Sequence, residues 1–203
     1  MERAPRLRKT GGHAVDLFRP AMDITERMGV LPRVEAAKTA TTRLTIVREG
    51  RNAPVCVDLT KVLGAASDRH VEIMRDDLSE IYYDATTADV EYVFDDSITS
   101  IEDDLVTFER NAPRRFDIVV GADGLHSNVR RLVFGANVQE AFIGAYLAVL
   151  TAPKGRVLDG EMRSHVGAGR MAGRYGARHL DDERVVFLFR SARQLVRDYA
   201  LAS

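Results

Sequence analysis

Hydrophobic positions along the chain fall into short apolar runs separated by turn residues, with helical stripes between them. The sharpest such block covers residues 116–134. Phe116, Ile118, Val119 and Val120 form an apolar run between Arg114-Arg115 and Gly121, which predicts a buried strand. Ala122-Asp123-Gly124 predicts a tight turn. Ser127 is placed to cap a helix carrying Val129, Leu132 and Val133, and Gly135 is placed to end it. Such a turn leaves backbone N–H groups near a helix start, and Asp123 can accept hydrogen bonds from ligand hydroxyls. The same pattern also describes an ordinary strand-to-helix connection with a turn-forming Asp-Gly.

Elsewhere the periodicity alternates between helix and strand. Val15, Phe18, Met22, Ile24 and Met28 form a helical stripe over 14–28, with Gly29 as its stop. Pro20 interrupts the stripe and can divide it into two short helices. Residues 43–48 and 54–59 predict a hairpin through a turn at 49–52. Residues 70–75 predict a strand, and Asp76-Asp77 open a helix with Leu78, Ile81 and Tyr82 on its apolar face. Three short strands are expected at 90–94, 98–101 and 105–109. The intervening Asp95-Asp96 and Asp103-Asp104 read as solvated turn residues rather than catalytic carboxylates. Longer strands are expected at 141–150, 162–166, 170–178 and 184–189, with Ser191 opening a helix that reaches 201.

Composition narrows the classes. A hydrophobic fraction of 45% and a charged fraction of 29% over 203 residues suit a soluble globular protein. A net charge of −1 gives no electrostatic case for nucleic acid. The single Cys56 excludes an internal disulfide and fits a reducing, cytoplasmic setting; its place in an apolar run predicts a buried, inert thiol. The first ten residues are charged rather than signal-like, and the longest apolar stretch, 141–150, is too short to span a bilayer. His13, His70, His126, His165 and His179 lack ligand-like spacing, so no metal is expected. Gly167, Gly169 and Gly173 imitate a dinucleotide loop but lack the flanking buried strand and amphipathic helix.

The residues GADGLHSNVRRLVF go further than their pattern: they resemble the second flavin fingerprint of FAD-dependent aromatic monooxygenases, the family of para-hydroxybenzoate hydroxylase and the tetracycline-inactivating monooxygenases. The resemblance implies that Asp123 and Gly124 contribute to FAD binding and to pyridine-nucleotide binding, with Ser127 and Arg130 completing the fingerprint. At the start of the chain Glu2, Arg3, Gly11, Gly12 and Asp16 fall in the family's order. There the acid at the end of a second Rossmann strand binds ribose hydroxyls, and the flavin passes close to the glycines. VEIMRDDL resembles the segment whose arginine contacts the flavin, which carries that role to Arg75. Read without the family, the first stretch is a charged arm and Arg75 is a surface arginine paired with a neighbouring acid. FIGAYLAV resembles the first strand of the family's substrate sheet.

The expected fold is therefore α/β, with α and β parts mixed. It comprises a partial Rossmann-like FAD-binding domain lacking its first βα unit (1–42 and 60–138) and part of an antiparallel substrate sheet (43–59 and 139–203). The implied function is NAD(P)H-driven, FAD-dependent hydroxylation of an aromatic or polycyclic small molecule, without nucleic-acid or membrane partners. An inactive fold remnant is the alternative, and a non-flavin nucleotide module a third reading. The cofactor does the redox chemistry, so no catalytic residue is assigned. Residues 1–203 contain neither a strand–GxGxxG–helix unit nor a third, Gly-Asp-Ala-like flavin segment. They are therefore expected to match the middle half of a family member, and on their own to hold FAD weakly.

Overall fold

The computed structural model describes residues 1–7, 12–135, 138, 141–155, 160–177 and 179–192. In chain order it contains β1 (Ala14–Phe18), α1 (Arg19–Arg27), α2 (Leu31–Ala36), β2 (Arg43–Arg48), β3 (Val55–Asp58), α3 (Leu59–Ala66), β4 (His70–Met74) and α4 (Arg75–Thr86). There follow β5 (Ile98–Glu102), β6 (Leu105–Phe108), β7 (Arg114–Arg115), α5 (Asn128–Phe134), β8 (Ala145–Pro153), β9 (Glu161–Gly167), β10 (Arg170–Tyr175) and β11 (Asp182–Arg190). Backbone contacts divide the chain into two compact units. One joins Met1–Arg8 to Thr87–Ala141, and the other joins Lys9–Thr86 to Phe142–Ser203.

The second unit is built on a six-stranded sheet of order β3-β2-β9-β10-β11-β8. The β2–β3 hairpin joins it by a parallel pairing of β2 with β9, while its other pairings are antiparallel. Beside the sheet, β1 and β4 form an antiparallel ribbon. Adjacent residues of a strand point to opposite faces, and β4 uses this to serve two cores. Ile73 joins Leu17, Met22, Val30, Val34, Val71 and Ile81 beneath the helices. Met74 joins Tyr175, Ala177 and Val186 on the sheet. Through this double burial the β1–β4 ribbon packs both beneath the helices and on the large sheet, within one contact unit.

In the first unit β5, β6 and β7 form a three-stranded antiparallel sheet. Val106 and Phe108 are its buried side chains, and Phe108 meets Phe116 edge-on at 6.3 Å between ring centroids. Asn128 Nδ2 donates to the Ile98 carbonyl at 2.6 Å, tying α5 to β5.

Several expectations are corrected. The stripe over 14–28 is a strand followed by a helix: residues 14–18 pair with β4, and Pro20 sits in the first turn of α1, where its missing N–H costs nothing. Residues 116–120 are not a buried strand. Arg115 pairs with Leu105 and Phe116 N–H bonds the Asp104 carbonyl at 2.8 Å, but the β5–β6 turn lies there. The run therefore passes beyond the end of that hairpin with no ladder partner among the described residues, and Ile118 and Val120 are 80% and 79% exposed. Residues 90–94 form no strand either; Val93 accepts from Glu2 N–H at 2.8 Å and Asp95 N–H donates to the Ala4 carbonyl at 2.9 Å. Cys56 is exposed because β3 is an edge strand.

Asp95 and Asp103 are turn residues with φ of 56° and 54°, but Asp96 is buried rather than solvated. The glycine string near 167 is the β9–β10 hairpin turn, with Gly169 at φ 67°. Residues 193–201 of the expected last helix, and Arg178 at the end of an expected strand, lie outside the described residues. Among the described residues no helix is long and apolar enough to cross a membrane.

Candidate functional site

Each of the two units carries candidate residues of its own. In the first, Gly121 lets the approach to the turn pack on α5, since a Cβ there would lie 2.8 Å from Val129 Cγ1. Gly124 takes φ 84°, which favours glycine, and nothing stands within 4 Å of where its Cβ would be. The turn backbone is thus open to close approach.

The Asp123 carboxylate is engaged locally. It accepts from the Ser127 hydroxyl, from Asn128 N–H at 2.5 Å and from Val129 N–H at 3.1 Å. Ser127 in turn accepts from Arg130 N–H at 3.0 Å, the expected cap of α5. Burial, the largest single influence, raises the Asp123 pKa, yet the bonds from Ser127 and the neighbouring N–H groups outweigh it and hold the carboxyl below its ordinary range. The Arg130 guanidinium closes the turn by donating to the Leu125 carbonyl and, at 3.4 Å, to that of Gly124.

Glu2 and Arg3 belong to the same unit. Glu2 Oε1 accepts from Ala4 N–H at 2.8 Å, which turns the arm, and Arg3 is exposed.

In the second unit the centre is Gly12. It is buried, its N–H donates to Asp76 Oδ2 at 3.0 Å, and Arg184 Nε donates to its carbonyl at 3.1 Å. A Cβ there would lie 2.7 Å from Asp76 Oδ1, 3.0 Å from Arg75 Nε and 3.1 Å from an Arg75 terminal nitrogen. The Arg75 guanidinium therefore lies over the bare Cα of Gly12, where only glycine leaves it room. Arg75 is exposed and makes no side-chain hydrogen bond or ion pair with any described residue. Asp16, on β1, is exposed at its carboxylate and pairs with His70 Nε2 at 2.7 Å. Gly11 lies outside the described residues.

The structure thus brings Arg75 to Gly12 within one unit, and keeps Asp123, Gly124, Glu2 and Arg3 in the other. Sequence reasoning missed Tyr175 and Arg184, which bond the backbone of Ala14 and Gly12, and the pairing of the Tyr175 hydroxyl with the His13 ring. Their partners lie more than 160 positions apart, so no local spacing marks them. Among the described residues no three His, Cys, Asp or Glu side chains converge as a metal site would require.

No protein-family model matches the chain. It is 44% identical over 197 residues to an uncharacterized protein of Mycobacterium tuberculosis, covering 93% of this chain and 52% of that protein. It is 34% identical over 158 residues to a flavin-dependent monooxygenase of Legionella longbeachae, covering 75% of this chain and 40% of that protein. The crystal structure of the tetracycline destructase Tet(51) matches with a TM-score of 0.76 at 28% identity, over 97% of this chain and 51% of that one. CtdE in complex with FAD matches with a TM-score of 0.75 at 16% identity, a likeness of fold alone, over 98% of this chain and 54% of that one. The chain thus spans about half the length of these proteins, or less.

Proposed function

The chain belongs to the FAD-dependent aromatic monooxygenase family, and from that premise we propose that it supplies cofactor-facing and substrate-facing parts of an NAD(P)H-driven monooxygenase. The substrate is an aromatic or polycyclic small molecule, a class supported by the likeness to a tetracycline destructase. The setting is cytoplasmic, and the net charge of −1 supports neither a nucleic-acid nor a membrane partner.

One observation carries the reading: an exposed arginine, unpaired among the described residues, is laid over a glycine that has no room for a side chain. An exposed cation seated on a glycine suits an electron-rich planar group with anionic and carbonyl oxygens, so these residues fit FAD. Arg75 would donate to the cofactor, and Gly12, by lacking a side chain, would leave the guanidinium its seat. The open turn at Gly124 serves the same purpose, with Asp123 holding that turn in shape. Glu2, Arg3 and Asp16 complete the binding set, Glu2 toward ribose hydroxyls. The Asp123-Gly124 pair supports NAD(P)H as reductant. When bound, FAD supplies the redox chemistry; the protein orients it and keeps water away.

The test is a titration of FAD against residues 1–203, followed by flavin fluorescence without removing excess ligand. Weak, saturable binding is expected. Arg75→Ala should weaken it at least about tenfold, the loss of one charge-assisted hydrogen bond. Equal affinities would remove Arg75, and with it this reading of Gly12.

A further inference from the structure

Residues 12–14, which lead into β1, are held from two sides. From α4, Asp76 accepts from Gly12 N–H at 3.0 Å, and Arg75 N–H donates to the His13 carbonyl at 3.2 Å. From the large sheet, Arg184 Nε donates to the Gly12 carbonyl at 3.1 Å, and the Tyr175 hydroxyl accepts from Ala14 N–H at 2.9 Å. Both sheet residues are buried, Tyr175 at 2% and Arg184 at 4% exposure. The same hydroxyl is paired with His13 Nδ1. The two rings meet edge-on at 5.4 Å between centroids.

The Tyr175 ring already fills the sheet core with Met74 and Val186. Its hydroxyl adds nothing to that apolar packing, and its bonds go to residues 13 and 14. The Arg184 guanidinium reaches Gly12 with one arm and Asp182 with another at 2.8 Å. A buried polar group that spends its bonds on one short segment fixes that segment's conformation. Here it is the segment over which Arg75 lies.

We infer that Tyr175 and Arg184 are positioning residues for cofactor binding: from the large sheet they hold residues 12–14 in the conformation that seats the Arg75 guanidinium over Gly12. The inference rests on the FAD reading of Arg75 and Gly12. It assigns to two strand residues, remote in sequence, a part in a site otherwise formed by α4 and the segment before β1.

Tyr175→Phe tests it, because the ring stays in the core and only the hydroxyl is lost. Amide exchange at Ala14 should accelerate about three- to tenfold, and the FAD dissociation constant should rise by a similar factor. The unfolding midpoint should stay within a few degrees of the parent's. In an Arg75→Ala background the effect on FAD should vanish, since Tyr175 acts through Arg75. Arg184→Lys, which keeps the charge but not the planar donor, should move FAD binding in the same direction. An additive effect in the Arg75→Ala background means that Tyr175 acts on the fold generally, and overturns the inference. So does faster exchange at Ala14 with unchanged FAD affinity, or unchanged exchange. If Arg75→Ala alone leaves FAD binding unaltered, the FAD reading itself has failed, and the inference falls with it.

Discussion

The Asp123 carboxylate and the Ser127 hydroxyl bond to each other across the first turn of α5, and each also takes backbone N–H groups of that helix. The acid of the flavin-like fingerprint is thus first a cap. Its oxygens take up the orphan donors of a helix start, which fixes the course of the Ala122-Asp123-Gly124 turn. A ligand at that turn would meet backbone already in place.

Asp123→Ala is expected to lower stability by about 1 kcal/mol, the usual loss for a helix cap, and to weaken FAD in the fluorescence titration. Ser127→Ala should reproduce the loss of stability, since it removes the other half of the cap. Urea unfolding gives the first quantity. Unchanged flavin binding in Asp123→Ala would take Asp123 out of the cofactor set.

Gly12→Ala probes the other unit. The added methyl would lie 2.7 Å from Asp76 Oδ1 and 3.0 Å from Arg75 Nε. Both are far ends of flexible side chains, so the fold can yield, at a cost of about 1–2 kcal/mol. The guanidinium has to leave its seat, and FAD affinity should fall by as much as in Arg75→Ala. A Gly12→Ala chain that binds FAD like the parent would show that the Arg75 position is not the one FAD uses.

Much of this was legible in the sequence, and the reasons differ by element. The Ser127 cap, the β2–β3 hairpin and the β4–α4 junction rest on local chemistry within a few residues, and they stand where the pattern places them. The run over 116–120 has strand composition, but a strand also needs a neighbour, and composition does not reveal that the β5–β6 hairpin ends short of it. Residues 14–18 fit a helical stripe; pairing with β4, more than fifty residues away, decided otherwise. The site divides in the same way. Arg75 and Asp123 sit in recognisable strings, whereas Tyr175 and Arg184 reach residues 12–14 only through the sheet.

Asp96 shows how an acidic pair can mislead. Its carboxylate accepts from Ser97 N–H at 2.8 Å, Arg110 N–H at 3.0 Å, Asn111 N–H at 3.1 Å and Asn111 Nδ2 at 2.5 Å. Burial is the largest single influence and raises its pKa, but these donors together carry it below the ordinary carboxylate value. Asp96→Ala leaves three backbone donors unmatched inside the first unit and should lower the unfolding midpoint by several degrees. Asp95→Asn, at the exposed neighbour, removes the charge but keeps a residue type that tolerates the φ of 56°, and should change it little. Equal effects in a thermal scan would contradict the difference in burial.

The last prediction concerns pH and His13. Burial lowers the His13 pKa from its ordinary 6.5; Glu72 and Asp16 act to raise it, and Arg75 to lower it. These groups come from β4, β1 and α4, while Tyr175 approaches from the sheet and Arg184 and Asp76 hold Gly12 alongside. The folded protein therefore favours neutral imidazole, the form that can accept the Tyr175 proton. Between the depressed folded value and 6.5, the unfolded chain binds more protons than the folded one, so stability rises with pH through that window. The contribution is fully present above 6.5 and is lost as the pH falls through the folded value. Carboxylates do not imitate this, because those with lowered pKa values, Asp96, Asp123 and Glu161 among them, lose their contribution only below the ordinary carboxylate range. Thermal unfolding should thus show a lower midpoint at about pH 5.5 than at about pH 7.5. His13→Asn offers an amide oxygen as acceptor in place of Nδ1 but does not titrate, so its midpoint should fall less over the same interval. An equal fall in parent and variant would assign the pH dependence to other groups and detach it from the Tyr175 bond.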